Sequence, residues 1–213
     1  MKIEHIAPQD IEERSFEIIS QELRRSGITI PEDRAFLVKR AIHTTADFDY
    51  ARTLVFSPNA ISILASLVRA GATIVTDTNM ALSGVNKGEL AKHGGVARCF
   101  MADPDVAAEA KSRRVTRATV SMERALALKT PVIFAIGNAP TALVRLREAY
   151  DAGELKSGFI IGAPVGFVNV EAAKELILET TIPHIVNRGR KGGSGVAAAI
   201  CNAVLYEIRK GAL

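Results

Sequence analysis

Residues 131–153, PVIFAIGNAPTALVRLREAYDAG, decide the fold, because they join a strand pattern directly to a helix pattern. The first part, PVIFAIGN, is a short and almost entirely apolar run, which is typical of a strand buried on both faces. The second part carries Pro140 near its first turn, a position at which proline favours the start of a helix. The stretch therefore predicts a β-strand at 131–138 and an α-helix at 139–153.

The same alternation continues in both directions along the chain. Four further strands are predicted, at 72–77, 96–101, 157–164 and 182–188. Further helices are predicted before, between and after the strands, at 57–71, 84–95, 103–114, 116–128, 169–181 and 194–210. In the first of these helices, Ser57 is the expected N-cap, Pro58 the first helical residue and Gly71 the stop signal. Five strands alternating with helices predict a mostly parallel sheet that is covered on both faces.

Two more helices are predicted before the first strand, at 8–25, with Asp10 as a possible cap, and at 32–43. The predicted fold class is therefore α/β: a three-layer, doubly wound, mostly parallel five-stranded sheet with N-terminal helices. No repeat, low-complexity tract or linker interrupts this order, so residues 1–213 are expected to form a single domain.

The composition excludes several classes of function. The formal net charge is +4, but no run of Lys and Arg is interleaved with aromatic residues, so a nucleic-acid partner is not expected. A small polyanion suits this charge better. No signal peptide and no membrane span are expected, and we interpret the chain as soluble and cytoplasmic. Cys99 and Cys201 lie in apolar stretches and are interpreted as small buried hydrophobic residues.

A ligand site is expected where the carboxyl ends of the parallel strands meet, because helix N-termini and loops converge there. Glycine and small polar residues cluster in most of the loops at this edge, more than an ordinary turn needs. Arg190 and Lys191 stand beside the glycine-rich start of the last helix, an arrangement that suits carboxylates or phosphates. A tight turn that only lets this helix pack closely is an equally good interpretation. The five loops are 76–84, 101–105, 137–141, 162–169 and 187–195.

Motifs that would indicate another chemistry are missing from the sequence. It contains no GxGxxG after the first predicted strand, no P-loop, no HExxH, no CxxC and no GxSxG. An NAD-dependent enzyme and a protein-bound metal are therefore not expected. Asp77 and Asp103 each follow a strand and are interpreted as N-caps.

Of the four histidines, only His43 is hard to explain by packing. It follows an apolar helical run, with Arg40 one turn earlier on the same face and two threonines directly after it. His93 near a helix end, His184 in a strand and His5 near the terminus have ordinary structural interpretations. A structural role for His43 also stays open on the residues alone.

Seven blocks of the sequence, in order and spread over nearly the whole chain, resemble the precorrin-8X methylmutases of corrin (vitamin B12) biosynthesis. Any one block is a modest signal, but the ordered set is highly specific. The blocks are ERSFEII, VKRAIHTTAD, FSPNAI, TDTNMALSGVNK, FAIGNAPTAL, GAPVGFVNVEAAKE and NRGRKGGSGVAAAICNA.

The resemblance implies a flavodoxin-like or Rossmann-like fold and an isomerase that moves a methyl group from C11 to C12 of a tetrapyrrole ring. It implies no separate cofactor, although the substrate ring itself could carry cobalt. It also implies a homodimer with the site near the subunit interface. A non-catalytic corrinoid carrier and a generic anion- or nucleotide-binding enzyme stay open as alternatives.

The resemblance makes His43 the catalytic acid and base, and places Ser15 and Arg40 against the substrate. A histidine can lend and recover a proton near neutrality, and protonation of a ring nitrogen assists the methyl shift. The cations and backbone N–H groups would bind the carboxylates at the edge of the substrate, and apolar side chains would face its ring. The expected substrate-binding residues are Ser15, Arg40, Thr44, Met80, Asn138, Pro164, Val165, Gly166, Phe167, Arg188, Arg190, Lys191, Gly192, Gly193 and Ser194.

Overall fold

A computed structural model describes residues 3–213, which fold around one six-stranded sheet. The strands are β1 Leu54–Phe56, β2 Thr73–Thr76, β3 Val96–Arg98, β4 Val132–Ile136, β5 Phe159–Gly162 and β6 His184–Asn187. Their order across the sheet is β1-β6-β5-β4-β2-β3. Strands β2 to β6 are parallel, and β1 pairs with β6 in the antiparallel sense. Counted alone, the parallel strands have the flavodoxin-like order 2-1-3-4-5, so the predicted fold class is confirmed.

Helices cover both faces of the sheet. They are α1 Ile11–Arg25, α2 Glu32–Thr45, α3 Tyr50–Thr53, α4 Ala60–Arg69, α5 Asn79–Gly84, α6 Lys87–Ala91, α7 Pro104–Arg113, α8 Arg117–Leu126, α9 Pro140–Asp151, α10 Val170–Leu178 and α11 Ser194–Arg209, with a short 3-10 helix, Pro8–Asp10, before α1. One layer is built around α11, which packs against α2, α4, α5 and α6. On the other face, α9 packs between α8 and α10. The predicted three-layer arrangement is therefore confirmed.

The central strand β4 shows why the parallel strands have nearly continuous apolar sequences. Ile133 and Ala135 belong to the core on the α11 side, whereas Phe134 and Ile136 belong to the core on the α9 side. Successive side chains of a strand point to opposite faces, so a strand covered on both faces has to be apolar at every position. Every residue of β4 is buried.

The prediction of five strands is wrong by one, because β1 was missed. It has only three residues and is defined by its pairing with β6, with Leu54 opposite Asn187 and Phe56 opposite Ile185. Such a short edge strand carries no clear pattern of its own, since its partner lies more than a hundred residues later in the chain.

The predicted start of the next helix is also wrong. Helix α4 begins at Ala60, and its N-cap is Asn59 in the left-handed conformation, with φ 56°. Ser57 does not cap this helix. Its hydroxyl instead accepts a hydrogen bond from the His184 backbone N–H at 2.8 Å. Asn tolerates positive φ better than other non-glycine residues, which explains why the chain can turn there.

The buried polar groups of the core are mostly accounted for. The His184 ring lies in β6 and its Nδ1 is 2.7 Å from the Ile182 carbonyl oxygen, so its predicted structural role is confirmed. Burial lowers the pKa of His184 and raises that of the Cys201 thiol to about 12. Cys99 is only half-buried, contrary to the expectation from its apolar neighbours. Within residues 3–213, no helix is both long and apolar enough to cross a membrane.

Candidate active site

The loops after β2 and β4 meet at Ser194, the first residue of α11. The Thr78 and Ser194 hydroxyl groups are 2.8 Å apart and share a hydrogen bond. A Cβ atom on Gly137 would lie only 2.7 Å from Ser194 Cα, so this close approach requires glycine. Strands β2 and β4 flank the point where the order of the parallel strands reverses, which is where ligands bind in sheets of this type.

The loop between β5 and α10 joins the same cluster. The Gly193 N–H donates to the Ala163 carbonyl oxygen at 2.8 Å, and the Gly166 N–H donates to the Arg190 carbonyl oxygen at 3.1 Å. A Cβ atom on Gly192 would lie 2.1 Å from the Ala163 oxygen, so no other residue fits there. Gly192 of the GRKGGSG segment is therefore needed to bring two loops together at one edge of the sheet.

Helix α2 brings His43 to this edge. The neighbouring Thr44 lies against the first turn of α11, where a Cβ on Gly195 would be 3.7 Å from the Thr44 methyl group. The His43 side chain is exposed, and its ring centroid is 5.4 Å from that of Phe16. Its two ring nitrogens have no hydrogen-bond partner among residues 3–213, so they are available to a ligand.

Arg40, one turn before His43, is held in place by its neighbours. Its guanidinium donates to both carboxylate oxygens of Glu12, at 2.9 and 2.8 Å, and lies over the rings of Phe16 and Tyr206. The hydrogen bonds from Arg40 lower the pKa of Glu12. Only 12% of the Arg40 side chain is exposed. A ligand carboxylate would therefore have to replace Glu12 to reach this guanidinium.

The cations of the β6–α11 loop are paired on the surface. Each contacts a nearby carboxylate, and these pairs are Arg188 with Glu175, Arg190 with Glu171, and Lys191 with Asp47 and Asp49. At least half of each of the three cationic side chains is exposed. Exposed pairs of this kind contribute only about 0–1 kcal/mol, so the carboxylates of a ligand can compete with them.

Apolar side chains project from the same edge of the sheet. Met80 is 74% exposed, Val165 47% and Phe167 82%. Single exposed apolar residues are common, but these lie beside the loops that meet at Ser194, and the Arg190 guanidinium lies over the Phe167 ring at 5.5 Å. The edge therefore combines apolar area with cations, which is what a large ring bearing carboxylates requires.

The surroundings of four expected substrate-binding residues differ from those of the exposed cations and apolar side chains described above. The Ser15 hydroxyl donates back to the Ile11 carbonyl oxygen at 3.0 Å, and that of Thr44 donates to the Arg40 carbonyl oxygen at 2.9 Å. Pro164 is buried, whereas the Asn138 side chain is exposed. No contact among the described residues links the Ser15 or Asn138 side chain to the cluster at Ser194.

The interpretation of Asp77 as the N-cap of the following helix is wrong. The N-cap of α5 is Thr78, whose hydroxyl accepts from the Ala81 N–H. Asp77 is fully buried and accepts from three backbone N–H groups, those of Gly137, Asn138 and Ala139, at 2.8, 2.8 and 2.5 Å. It fixes the loop after β4, although burial raises its pKa. Asp103 does occupy the N-cap position of α7, but its side chain makes no capping hydrogen bond.

The sequence interpretation also missed Lys174 in α10. Its side chain is fully buried, and its ammonium group donates to the carbonyl oxygens of Gly189 and Lys191. A signal was present, because Val170 and Ile177 place Lys174 on the apolar face of its helix.

Taken together, the fold and the site define a doubly wound α/β protein with a cation-rimmed candidate site at its switch point and a histidine on the neighbouring helix. The chain belongs to the precorrin-8X methylmutase family, whose model matches residues 10–207. The members of this family are isomerases of cobalamin biosynthesis.

Individual relatives agree with this assignment. Cobalt-precorrin-8 methylmutase from Priestia megaterium is 43% identical over 93% of this chain and 88% of its own length. Precorrin-8X methylmutase from Pseudomonas aeruginosa is 37% identical over 93% of this chain and 95% of its own. The crystal structure of precorrin-8X methylmutase from Thermus thermophilus matches with a TM-score of 0.87 at 36% identity, and the match covers 96% of this chain and 98% of that one.

Proposed function

We propose that this chain converts precorrin-8X or cobalt-precorrin-8 to hydrogenobyrinate or cobyrinate, by moving a methyl group from C11 to C12 of the ring. The observation that carries the proposal is the position of His43. Its exposed imidazole has no hydrogen-bond partner in the described part of the chain and stands next to Thr44, which lies against the first turn of α11. Relatives of similar identity carry both substrate names, so both substrates are considered.

In this proposal, His43 acts as general acid and then as general base. It donates a proton to a ring nitrogen, which makes the neighbouring carbon more electrophilic and assists the migration of the methyl group. The same imidazole takes the proton back after the shift. General acid catalysis contributes about 10²–10⁴ in rate, so the rest of the acceleration has to come from positioning.

The substrate carboxylates are bound by the exposed cations of the β6–α11 loop and by nearby backbone N–H groups. Arg190 and Lys191 exchange their weak surface partners for these carboxylates, since a bound carboxylate in a partly desolvated site is the stronger partner. Met80, Val165 and Phe167 cover a face of the ring. We further propose that the chain acts as a homodimer, in which a second copy covers part of this apolar area.

Turnover and product binding by His43→Ala test the proposal. We expect turnover of the substrate to fall by about 10²–10⁴, while binding of the corrin product stays within about threefold of wild type. The matched control is His93→Ala, because His93 lies beyond the end of α6 and beside Gly71, near the amino end of β2 and so at the opposite edge of the sheet from the loops that meet at Ser194. Both variants are assayed with the metal-free and the cobalt-containing substrate.

Two results would contradict the proposal. Unchanged turnover by His43→Ala would remove the acid and base role of this residue. A wild-type chain that binds the corrin product but isomerises neither substrate would instead favour the carrier hypothesis.

A further inference from the structure

We propose that Lys174 is a positioning residue, which holds residues 188–193 in the conformation that binds the carboxylates of the substrate. The proposal rests on the proposed function, because it assigns Lys174 a part in recognising that substrate. Lys174 itself touches neither the substrate nor the reacting atoms.

The contacts of Lys174 define its action on this loop. Its Nζ donates to the Gly189 carbonyl oxygen at 2.6 Å and to the Lys191 carbonyl oxygen at 2.8 Å. The Lys191 oxygen also accepts from Asn187 Nδ2 at 2.8 Å. Two carbonyl groups of one short loop are thus drawn inward by a side chain from another helix.

Drawing these carbonyl groups inward turns the following N–H groups outward. In a trans peptide, the C=O and the N–H of the next residue point in opposite directions. The N–H groups of Arg190 and Gly192 therefore point away from Lys174, and neither has a hydrogen-bond acceptor among residues 3–213. Outward backbone N–H groups near a helix start are suitable donors to a carboxylate.

The charge of Lys174 is unusual for this part of the molecule. No carboxylate within the described residues forms an ion pair with it, whereas Arg188, Arg190 and Lys191 are each paired with one. Burial of an ammonium group that lacks an ionic partner is unfavourable, and it lowers the pKa of Lys174 to about 8. An apolar residue would avoid this burial, so packing alone does not explain a lysine here.

The experiment compares Lys174→Met with Ile177→Ala in the full chain. Both residues are fully buried in α10, but Ile177 makes no hydrogen bond to the loop, so its truncation reports the effect of destabilising this helix alone. For Lys174→Met we expect KM for the substrate to rise by about tenfold and kcat to stay within about threefold of wild type. For Ile177→Ala we expect a lower unfolding temperature and a KM close to that of wild type.

Amide hydrogen exchange of residues 188–193 supplies the second readout. Faster exchange of this segment is expected in Lys174→Met than in wild type or Ile177→Ala, because the inward carbonyl groups are released. Lys174→Gln, which can still donate to a carbonyl oxygen, is expected to give an intermediate KM and intermediate exchange. This variant is also the one to use if Lys174→Met does not fold.

Distinct outcomes separate the two proposals. Equal rises in KM for Lys174→Met and Ile177→Ala, or unchanged loop exchange in Lys174→Met, would overturn the role of Lys174. If wild type lacks isomerase activity, the proposed function fails, and the exchange measurement still decides whether Lys174 holds the loop.

Discussion

Replacing Asp77 by alanine should destabilise the chain more than replacing any other aspartate that follows a strand. Its carboxylate accepts three backbone hydrogen bonds from the loop after β4, and two of the three donor residues, Gly137 and Ala139, are buried. In Asp77→Ala, two buried N–H groups lose their acceptor, at about 1–3 kcal/mol each. Removal of the carboxylate offsets part of this loss of stability, because burying a charged group is unfavourable, as the raised pKa of Asp77 shows. The expected net decrease in the free energy of unfolding is about 3 kcal/mol.

Urea unfolding at pH 7 measures this difference, with Asp103→Ala as the matched control. Asp103 also follows a strand, but its side chain makes no capping hydrogen bond, so its removal should change the free energy of unfolding by less than about 0.5 kcal/mol. The loop after β4 should also be less ordered in Asp77→Ala, so we expect lower turnover at a temperature at which the variant is folded. If Asp77→Ala is as stable as wild type to within about 1 kcal/mol, the three hydrogen bonds do not anchor this loop.

Three further predictions concern stability. The folded chain binds the Lys174 proton less tightly than the unfolded chain, because burial lowers the pKa from 10.5 to about 8. The free energy of unfolding of wild type should therefore rise relative to that of Lys174→Met by about 3 kcal/mol between pH 8 and 10.5. Below pH 8 the difference between the two proteins should be constant. Chemical denaturation across this pH range checks that the wild type gains stability, relative to the variant, as the pH rises. Gly192→Ala should lower the free energy of unfolding in urea by at least about 2 kcal/mol, because the new Cβ would lie 2.1 Å from the Ala163 oxygen. Its control is Gly195→Ala, where the new Cβ makes only ordinary contacts, and this variant should be within about 1 kcal/mol of wild type. Ser57→Ala should cost about 1 kcal/mol by thermal unfolding, through the lost hydrogen bond to the first residue of β6, and an unchanged transition would speak against that contact.

The elements that the sequence predicts well are those with a strong pattern of their own. Strand β4 is apolar throughout, and α9 begins at Pro140, within one residue of its predicted start. The meeting of several loops at one edge of the sheet also follows from the sequence, because parallel strands bring their carboxyl ends to one edge. The contacts of Ser194 with Thr78 and Gly137 agree with that expectation.

The features that the sequence analysis missed depend on partners that are distant in the chain. Strand β1 exists because β6 pairs with it, and Asp77 binds N–H groups sixty residues later. The same holds for Arg40. Its sequence neighbours fit an arginine that is free to bind a substrate as well as they fit the ion pair with Glu12 that the fold provides. A local pattern identifies a polar residue in such a place but does not identify its partner.

A cavity of about 760 Å³ near Arg34 and Phe56 is another feature that no sequence pattern indicates. It is lined by the first turn of α2, the end of β1 and the start of α4, and by Leu213. Because β1 is antiparallel to β6, this cavity lies at the amino ends of the parallel strands. None of the expected substrate-binding residues is among the described residues that line it, so its volume says nothing about the site.

The packing of α2 on α11 has a consequence for redesign of the pocket. The Arg40 guanidinium rests on Tyr206 and Thr44 lies beside Gly195, so α11 contacts the helix that carries His43 at two separate points. The glycine-rich loop leads directly into the same helix. In the proposed function, the packing of α2 against α11 therefore sets how far His43 lies from residues 188–193. A larger side chain at Ala203, which lies beside Phe36 and Arg40 of α2, should therefore move the helix that carries His43 without changing any of the proposed substrate-binding groups.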